Sequence, residues 1–351
     1  MIEWLSIARH PQLADVFARP NPWRCVLLAL LSVLCCLAGA AVAQASFPGR
    51  PGHLVLSAET TLLNGTEAGG ANVLLWDYDP RTRTPRRLTS RGRGCGWEGH
   101  WADGGPAYSP DGRWIAYLHS GCGPQSPELR IMRADGSANR RVAALPYVDP
   151  VYDHVAFSPD GRRIAVGPRV FEVATGIATE RSVPGESSSR LDWSAAGRLA
   201  GTAEVDTNSR IFTAWPDGTG LRWVTSVQFR RPLTSSDESP DWSPNARSIV
   251  FERHWWNFGR YCGEDGCSSP DRSGIWKVSP GTAAVKLRSI PAGSDAQPTF
   301  SPSGREVAFM NEDEDTILAM AANGKGPTRP LVRHPRIAGL WSFDWQPRPR
   351  R

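Results

Sequence analysis

The chain has no strong excess of charge of either sign and lacks a composition typical of disorder. Of its 351 residues, 40 are Lys or Arg and 35 are Asp or Glu, which leaves a net charge of +5. A charge this small and scattered excludes a dedicated nucleic-acid-binding protein. Hydrophobic residues make up 40% and charged residues 21%, so wholesale disorder is excluded too. The abundant residues are Gly (34), Pro (30) and Trp (15), which predict many turns and many large apolar side chains.

Cysteine is scarce and lacks the spacing of a metal site. Three of the seven cysteines lie in an apolar stretch near the amino terminus. The other four allow three disulfide pairings and favour an oxidising compartment; they are Cys95, Cys122, Cys262 and Cys267. Because no C-x-x-C motif occurs with a histidine pair, we expect neither a metal site nor a cofactor.

The apolar stretch near the amino terminus contains no charged residue from Cys25 to Ala43. Its length lies between the apolar region of a signal peptide, about 7–15 residues, and a membrane helix of about 20. Ala43-Gln44-Ala45 fits an A-x-A cleavage site. We therefore interpret residues 25–45 either as a signal peptide or as a membrane-anchoring helix.

The charges around this stretch predict its orientation. Arg9, Arg19 and Arg24 precede it, and basic residues stay on the cytoplasmic side of a membrane. Residues 1–24 are therefore predicted to be cytoplasmic. Residues 46–351 are predicted to be extracytoplasmic: periplasmic, on the cell surface or secreted. They are either released or tethered to the membrane by residues 25–43.

An aromatic-Ser-Pro-Asp-Gly motif recurs along residues 46–351. Each copy is followed by a short β-like run and then, in most repeats, by another apolar run that ends in a Gly turn. Short, evenly spaced strands separated by such turns predict a β-propeller. The copies, some of them degenerate, begin at Tyr108, Phe157, Trp193, Trp242 and Phe300.

The motif has a physical explanation in the turn between two strands. Pro presets the first turn position, Asp or Asn fills the next, and Gly takes the left-handed φ that closes the hairpin. Asp111 and Asp160 are therefore predicted to be turn residues, not a pair of catalytic carboxylates. The aromatic residue before Ser packs between sheets, which predicts that Trp193, Trp242 and Trp345 lie in the core.

The two ends of the repeat region complement each other. Residues 52–89 lack the aromatic-Ser-Pro strand, and residues 341–347 supply one such strand and nothing more. The sequence therefore predicts an all-β fold: a six-bladed, monomeric propeller with blades of about 51 residues, closed by the carboxy-terminal strand. One apolar helix precedes it.

These repeats resemble those of TolB-like propellers. The resemblance is carried by the Ser-Pro-Asp-Gly turns, the strand Ile115-Ala116-Tyr117 and the closing strand, and it covers nearly everything after residue 46. Two differences are expected. The α/β domain that precedes the propeller in TolB is not expected, because few residues separate the apolar stretch from the first strand. A peptidase is also not expected, because no G-x-S-x-G elbow occurs.

Loop lengths predict which face of the propeller is functional. The turns from first to second strand and from third to fourth are short, whereas the remaining connections contain almost every long segment. Binding residues concentrate on loops held by a rigid scaffold. Cys95 and Cys122 fall in adjoining long loops, Cys262 and Cys267 in a single one. Aromatic candidates for partner binding on these loops are Trp97, Trp101, Trp255, Trp256 and Tyr261; a local apolar cluster folding the loop onto the propeller is the alternative.

Polar residues just ahead of the first strands are the second group of candidates. By resemblance to TolB-like proteins, they would surround the mouth of the axial channel, where the family's protein partners bind. The alternative is that they cap backbone amides. The group comprises Asp103, Asp149, His154, Glu186, Asp237, Glu238 and Asp295.

Three functions remain open from the sequence. The first is a non-catalytic propeller that binds a protein or cell-envelope component through its long-loop face. The second is a lyase or hydrolase acting at the channel mouth, which should bring histidines and carboxylates together; of these, His154 alone offers itself. The third is a membrane-tethered sensor, for which 24 cytoplasmic residues look short.

Overall fold

The computed structural model describes residues 47–59, 73–90, 101–121, 127–146, 148–180, 190–205, 208–226, 228–230, 233–257, 272–292, 296–311, 315–334 and 337–349. Residues 1–24 and the apolar helix predicted over residues 25–45 lie outside this part. Within it, every regular element is a β-strand. A search of these residues for a helix long and apolar enough to cross a membrane finds none.

The strands are short and follow one another at the even spacing that the repeats predict. In chain order they are β1 (Arg50–Glu59), β2 (Val73–Asp79), β3 (Thr84–Arg87), β4 (Ala102–Tyr108), β5 (Trp114–Ser120), β6 (Glu128–Arg133), β7 (Arg140–Ala144), β8 (Val155–Phe157), β9 (Arg163–Val166), β10 (Arg169–Glu172), β11 (Ala178–Glu180), β12 (Asp192–Trp193), β13 (Leu199–Val205), β14 (Asn208–Ala214), β15 (Arg222–Trp223), β16 (Phe229–Arg230), β17 (Leu233–Trp242), β18 (Ile249–Asn257), β19 (Arg272–Val278), β20 (Val285–Ile290), β21 (Thr299–Phe300), β22 (Glu306–Asn311), β23 (Thr316–Ala321), β24 (Arg329–Val332) and β25 (Ala338–Arg348).

Hydrogen bonds group these strands into a propeller. Four sheets have the size of single blades: β8–β11, β12–β15, β16–β20 and β21–β24, here called the first to fourth blades. The remaining sheet has eight strands, in the order β25-β1-β2-β4-β5-β6-β7, with β3 paired to β2. We call its two parts the β25 half (β25, β1, β2, β3) and the β4 half (β4–β7).

The prediction of six separate blades is wrong on this point, because the described residues form four separate blades and one double-sized sheet. The physical reason is a single parallel bridge between Val73 of β2 and Ala102 of β4. This bridge joins β2 and β4, which the repeat pattern assigns to two separate blades.

The carboxy-terminal strand closes the propeller, as the sequence predicts. β25 runs antiparallel to β1, with Leu54 opposite Trp345 and Leu56 opposite Phe343. This pairing inserts the end of the chain at the inner edge of its first strands and covers the hydrogen-bonding edge that β1 would otherwise expose. Leu54, Leu56, Phe343 and Trp345 are all buried in one core cluster.

The recurring motif forms the tight turns that were predicted from its residue types. In the first copy, the Oδ1 atom of Asp111 accepts hydrogen bonds from the Ser109 hydroxyl at 2.6 Å and from the Arg113 amide at 3.0 Å. Gly112 has a φ of 67°. Asp160 makes the same two bonds in the next copy. Both carboxylates are therefore occupied within their turns.

The predicted core tryptophans are buried between sheets. Trp193, Trp242 and Trp345 are exposed by 1%, 3% and 4%. Since antiparallel neighbours reverse direction, the turns from first to second and from third to fourth strand lie at one end of each sheet, which we call the tight-turn face. The opposite end is the long-loop face.

Candidate functional site

Several predicted site residues lie outside the described part of the chain. They are Trp97, Tyr261, Asp295, Glu186 and the cysteines Cys95, Cys122, Cys262 and Cys267. Their roles in binding and the disulfides remain predictions of the sequence.

Asp103 is buried in an internal cluster. Its side chain lies 2.6 Å from Nδ1 of His119 and accepts a 3.3 Å hydrogen bond from the Trp101 indole. The rings of Trp101 and His119 pack edge to face, with centroids 4.7 Å apart. Two predicted binding residues, Trp101 and Asp103, are thus brought together, and the partner of Asp103 is His119.

Asp237 is likewise engaged inside the protein. Both of its carboxylate oxygens bind the Arg253 guanidinium, which stacks over the Trp276 ring at 4.8 Å from its centroid. Burial raises the pKa of Asp237, and the Arg253 pairing only partly offsets that effect. Of the neighbouring candidates, Glu238 and Trp256 are half-buried and Trp255 is buried.

A braced loop holds one exposed aromatic side chain beside the inner strands of the propeller. Residues 149–153 fold back on themselves, since the Asp149 carboxylate accepts the Val151 amide and Asp153 accepts the Asp149 amide, both at 2.8 Å. This is the backbone-capping role that was the alternative for Asp149. The Tyr152 side chain at the loop's tip is 66% exposed.

Two glycines in β4 allow that loop to lie directly on the strand. A Cβ at Gly104 would meet the Pro150 carbonyl at 1.8 Å, and one at Gly105, whose φ is +54°, would meet the Asp153 carbonyl at 2.1 Å. Tyr152 therefore leans across the β4 half and contacts Trp341 of β25, with ring centroids 6.1 Å apart. The sequence did not single out Tyr152.

The buried side chain of Arg190 links the inner strands of two blades that are not adjacent. Arg190 precedes the inner strand of the second blade and donates to Gln297 at 3.1 Å and to Thr299 at 2.8 Å, on the fourth-blade side of the ring. Its side chain is buried, as is His154. Burial and the charge of Arg190 hold the pKa of His154 well below its usual value, so this histidine is neutral at physiological pH.

Below Arg190, three inner strands carry an aspartate at the same position. Each accepts the backbone amide of the aromatic residue on the next inner strand: Trp242 to Asp192 at 2.5 Å, Phe300 to Asp241 at 2.8 Å and Tyr108 to Asp344 at 2.6 Å. We call Asp192, Asp241 and Asp344 the aspartate belt. These bonds tie neighbouring inner strands together around the axis.

The belt borders a cavity of about 70 Å³, which suffices for a few water molecules. Phe47, at the start of the described chain, lines this cavity together with Pro302 of a tight turn. In the part of the chain that the structure describes, no group of three His, Cys, Asp or Glu side chains is placed to hold a metal ion.

Burial raises the pKa of two aspartates of the belt. Burial raises the pKa of Asp344 to about 6, although the amides of Tyr108 and Trp345 and the charge of Arg190 favour its ionised form. Burial and then the negative charge of Asp192 raise the pKa of Asp241 well above its usual value. The folded chain therefore holds these protons more tightly than the unfolded chain does.

We expect a pH-dependent stability that Asp344→Asn removes. The stabilisation from protonated Asp344 is complete below the unfolded pKa of 3.8 and is lost as the pH rises through about 6. The free energy of unfolding of Asp344→Asn, relative to wild type, should therefore rise by about 2–3 kcal/mol between about pH 4 and about pH 7.5. Denaturant unfolding at several pH values measures this difference, and parallel profiles for the two proteins would contradict the prediction.

The sequence analysis missed the belt, although a signal for it was present. An Asp-Trp pair occurs at the end of three inner strands, at Asp192, Asp241 and Asp344, where the other copies have Ala107, Ala156 and Thr299. The repeat is recognised by its aromatic residue and the turn after it, so the residue before the aromatic one carries no weight in that pattern. Arg190 has no comparable signal.

Comparisons with known proteins identify the fold. No family model matches the sequence, and no curated protein does. TolB from Acinetobacter baumannii superposes with a TM-score of 0.62 at 14% identity, over 85% of this chain and 67% of TolB. The chain has a TolB-like fold.

Two further solved structures are similar to this chain. A chain of the nidogen/laminin complex matches with a TM-score of 0.54 at 12% identity, over 84% of this chain and 98% of that one. Hydrazine synthase from Kuenenia stuttgartiensis matches at 0.55 and 12% identity, over 88% of this chain and 49% of the enzyme. At these identities the similarity is one of fold, which hosts more than one kind of function.

Proposed function

We propose that the chain is an extracytoplasmic, non-catalytic TolB-like propeller with six blade equivalents, whose long-loop face binds a protein or another cell-envelope component. The observation that carries this proposal is the exposed Tyr152, held by a braced loop and packed against Trp341 of β25. A rigid, exposed aromatic side chain provides contact area at low entropic cost.

Other features support this role without deciding it. The matched nidogen/laminin structure is a complex between proteins, so a chain of this fold takes part in protein binding there. The apolar stretch at residues 25–43 and the A-x-A site after it support export. Export would place the four remaining cysteines where disulfides form.

Site-specific photo-crosslinking in the producing cell tests the proposal. A photoreactive phenylalanine analogue replaces Tyr152, and a matched control replaces Ile177, which is exposed by 65% on the opposite, tight-turn face. We expect a discrete adduct with a protein or glycan at position 152 and not at position 177. In a binding assay with that partner, Tyr152→Ala should weaken affinity by at least about 10-fold. No adduct at position 152, or the same adduct at both positions, would overturn the proposal.

A second candidate, a lyase or hydrolase acting in the axial channel, is favoured by the raised pKa of Asp344 and Asp241, since perturbed carboxylates cluster at active sites. The small cavity and the backbone bonds of the belt favour a structural role instead. The two functions are distinguishable, because Asp344→Asn would abolish an enzymatic activity and leave partner binding at Tyr152 unchanged.

A further inference from the structure

Five exposed apolar side chains lie on the tight-turn side of three blades. They lie in or beside the turn from third to fourth strand of the first, second and third blades, which are consecutive in the ring. We call them the apolar arc: Ile177, Trp215, Leu221, Trp223 and Val285, exposed by 65%, 42%, 36%, 40% and 61%. The remaining large apolar side chain of comparable exposure among the described residues, Tyr152, is on the other face. Clusters of exposed apolar residues mark interaction surfaces, and three of these residues, Trp215, Leu221 and Trp223, lie in one hairpin.

Arginines flank the two tryptophans of the arc. The Arg198 guanidinium lies over the Trp215 ring at 4.9 Å from its centroid, and Arg210 lies over Trp223 at 5.7 Å. Arg198 donates to the carbonyls of Gly220 and Thr213 and not to a carboxylate.

The positive charge of this corner is not neutralised by ion pairs. Burial and the nearby charge of Arg222 lower the pKa of Arg198, which shows that two like charges lie close together here. Within the described part of the chain, Arg198, Arg210 and Arg222 form no ion pair. The arginines that do form ion pairs lie elsewhere. The acidic residue of the same turn, Asp217, accepts the amide and hydroxyl of Thr219. With three arginines, Arg198, Arg210 and Arg222, against the one aspartate, the corner keeps a net positive charge that is complementary to an anionic surface.

The described chain begins on this same face. The Gly49 amide donates to the Pro302 carbonyl in a tight turn at 2.9 Å, and Phe47 lines the lower end of the channel. In the sequence, only three residues separate Phe47 from the apolar stretch that ends at Ala43. When this stretch inserts into a membrane, it therefore keeps the start of the propeller within a few residues of that membrane.

We propose that the apolar arc and its arginines dock on an anionic lipid surface. Trp side chains prefer the headgroup region of a bilayer, because the apolar ring contacts lipid there while the indole N–H stays in contact with water. Arg side chains place an apolar stem beside the lipid and a guanidinium on its phosphates. A partner protein would satisfy the apolar residues equally well, but the unpaired arginines and the adjacent start of the chain favour lipid. This surface is opposite the one that carries Tyr152, so the two proposals are independent.

The test uses the full chain with a protease cleavage sequence inserted between Ala45 and Ser46, reconstituted into vesicles. After cleavage, sedimentation measures the fraction of propeller that stays on vesicles of phosphatidylcholine alone or with added phosphatidylglycerol. We expect retention on the anionic vesicles at low salt and release from the neutral ones. Salt of about 0.5 M should also release much of the protein, because it screens exposed charges.

Trp215→Ala/Arg222→Glu should lower the bound-to-free ratio on anionic vesicles by at least about 10-fold. The matched control, Tyr152→Ala on the opposite face, should behave as wild type. Thermal unfolding verifies that each variant is folded, and Ile177→Asp/Val285→Asp, which changes only highly exposed positions, replaces the first variant if that one is not. Equal retention of wild type and variant would overturn the proposal. Retention of wild type on native membranes but not on protein-free anionic vesicles would overturn it as well, in favour of a protein partner.

Discussion

A chain that ends at Ile337, before β25, is expected to lose cooperative unfolding. β25 covers the full hydrogen-bonding edge of β1 and contributes the buried side chains of Leu340, Phe343 and Trp345. Without it, the inner edge of β1 is open and the core cluster beside it is exposed to water, so we expect an aggregation-prone, partly folded chain. Denaturant unfolding followed by circular dichroism and by tryptophan fluorescence measures this result.

The matched control is a chain that ends at Arg348, which keeps all of β25 and lacks only the last three residues. It should unfold as the full chain does. The single substitution Trp345→Ala should have an intermediate effect, a loss of about 3–5 kcal/mol in the free energy of unfolding. A shortened chain that remains monomeric and unfolds cooperatively would show that the ring does not depend on its closing strand.

Asp237→Ala is expected to destabilise the protein by about 3–5 kcal/mol, because it leaves the Arg253 guanidinium buried without its anion. Asp237 and Arg253 are exposed by 1% and 5%, so water cannot replace the lost partner. Equilibrium denaturation of the variant at neutral pH measures the change in the free energy of unfolding.

The exposed ion pair between Arg169 and Glu180 is the matched control for this substitution. Glu180→Ala should change the free energy of unfolding by less than about 1 kcal/mol, because solvent screens the pair. The double variant Asp237→Leu/Arg253→Met should be more stable than Asp237→Ala, since it removes both buried charges. A loss below about 1 kcal/mol for Asp237→Ala would contradict the structural role of the pair.

Local features were predictable because the interactions that form them are local. The turn at Asp111 depends on atoms within five residues, and the left-handed φ of Gly112 follows from its missing Cβ. Burial of Trp193, Trp242 and Trp345 follows from their equivalent positions in the repeat. Ring closure was predictable for a related reason, because one end of the chain lacks the strand that the other end supplies.

Features that depend on distant residues were not predictable in the same way. Asp103 and Asp237 were predicted at a solvent-facing mouth, yet each is buried against a side chain of the neighbouring strand, His119 and Arg253. The sequence pattern predicted them ahead of an inner strand, but they lie within β4 and β17. The pattern also does not state which way their side chains face. Arg190 illustrates the same limit, since its partner Gln297 is 107 residues away.

The sequence by itself determined the repeat, its turn chemistry, the core aromatic residues and the strand that closes the ring, because each depends on residue types at short or periodic spacing. Only the tertiary structure decided that Val73 and Ala102 join two blade-sized units into one sheet, that Tyr152 packs against Trp341, and that the apolar arc shares a face with the start of the chain. These arrangements arise from the packing of separate blades around one axis. That packing brings together residues whose separation in the sequence carries no pattern.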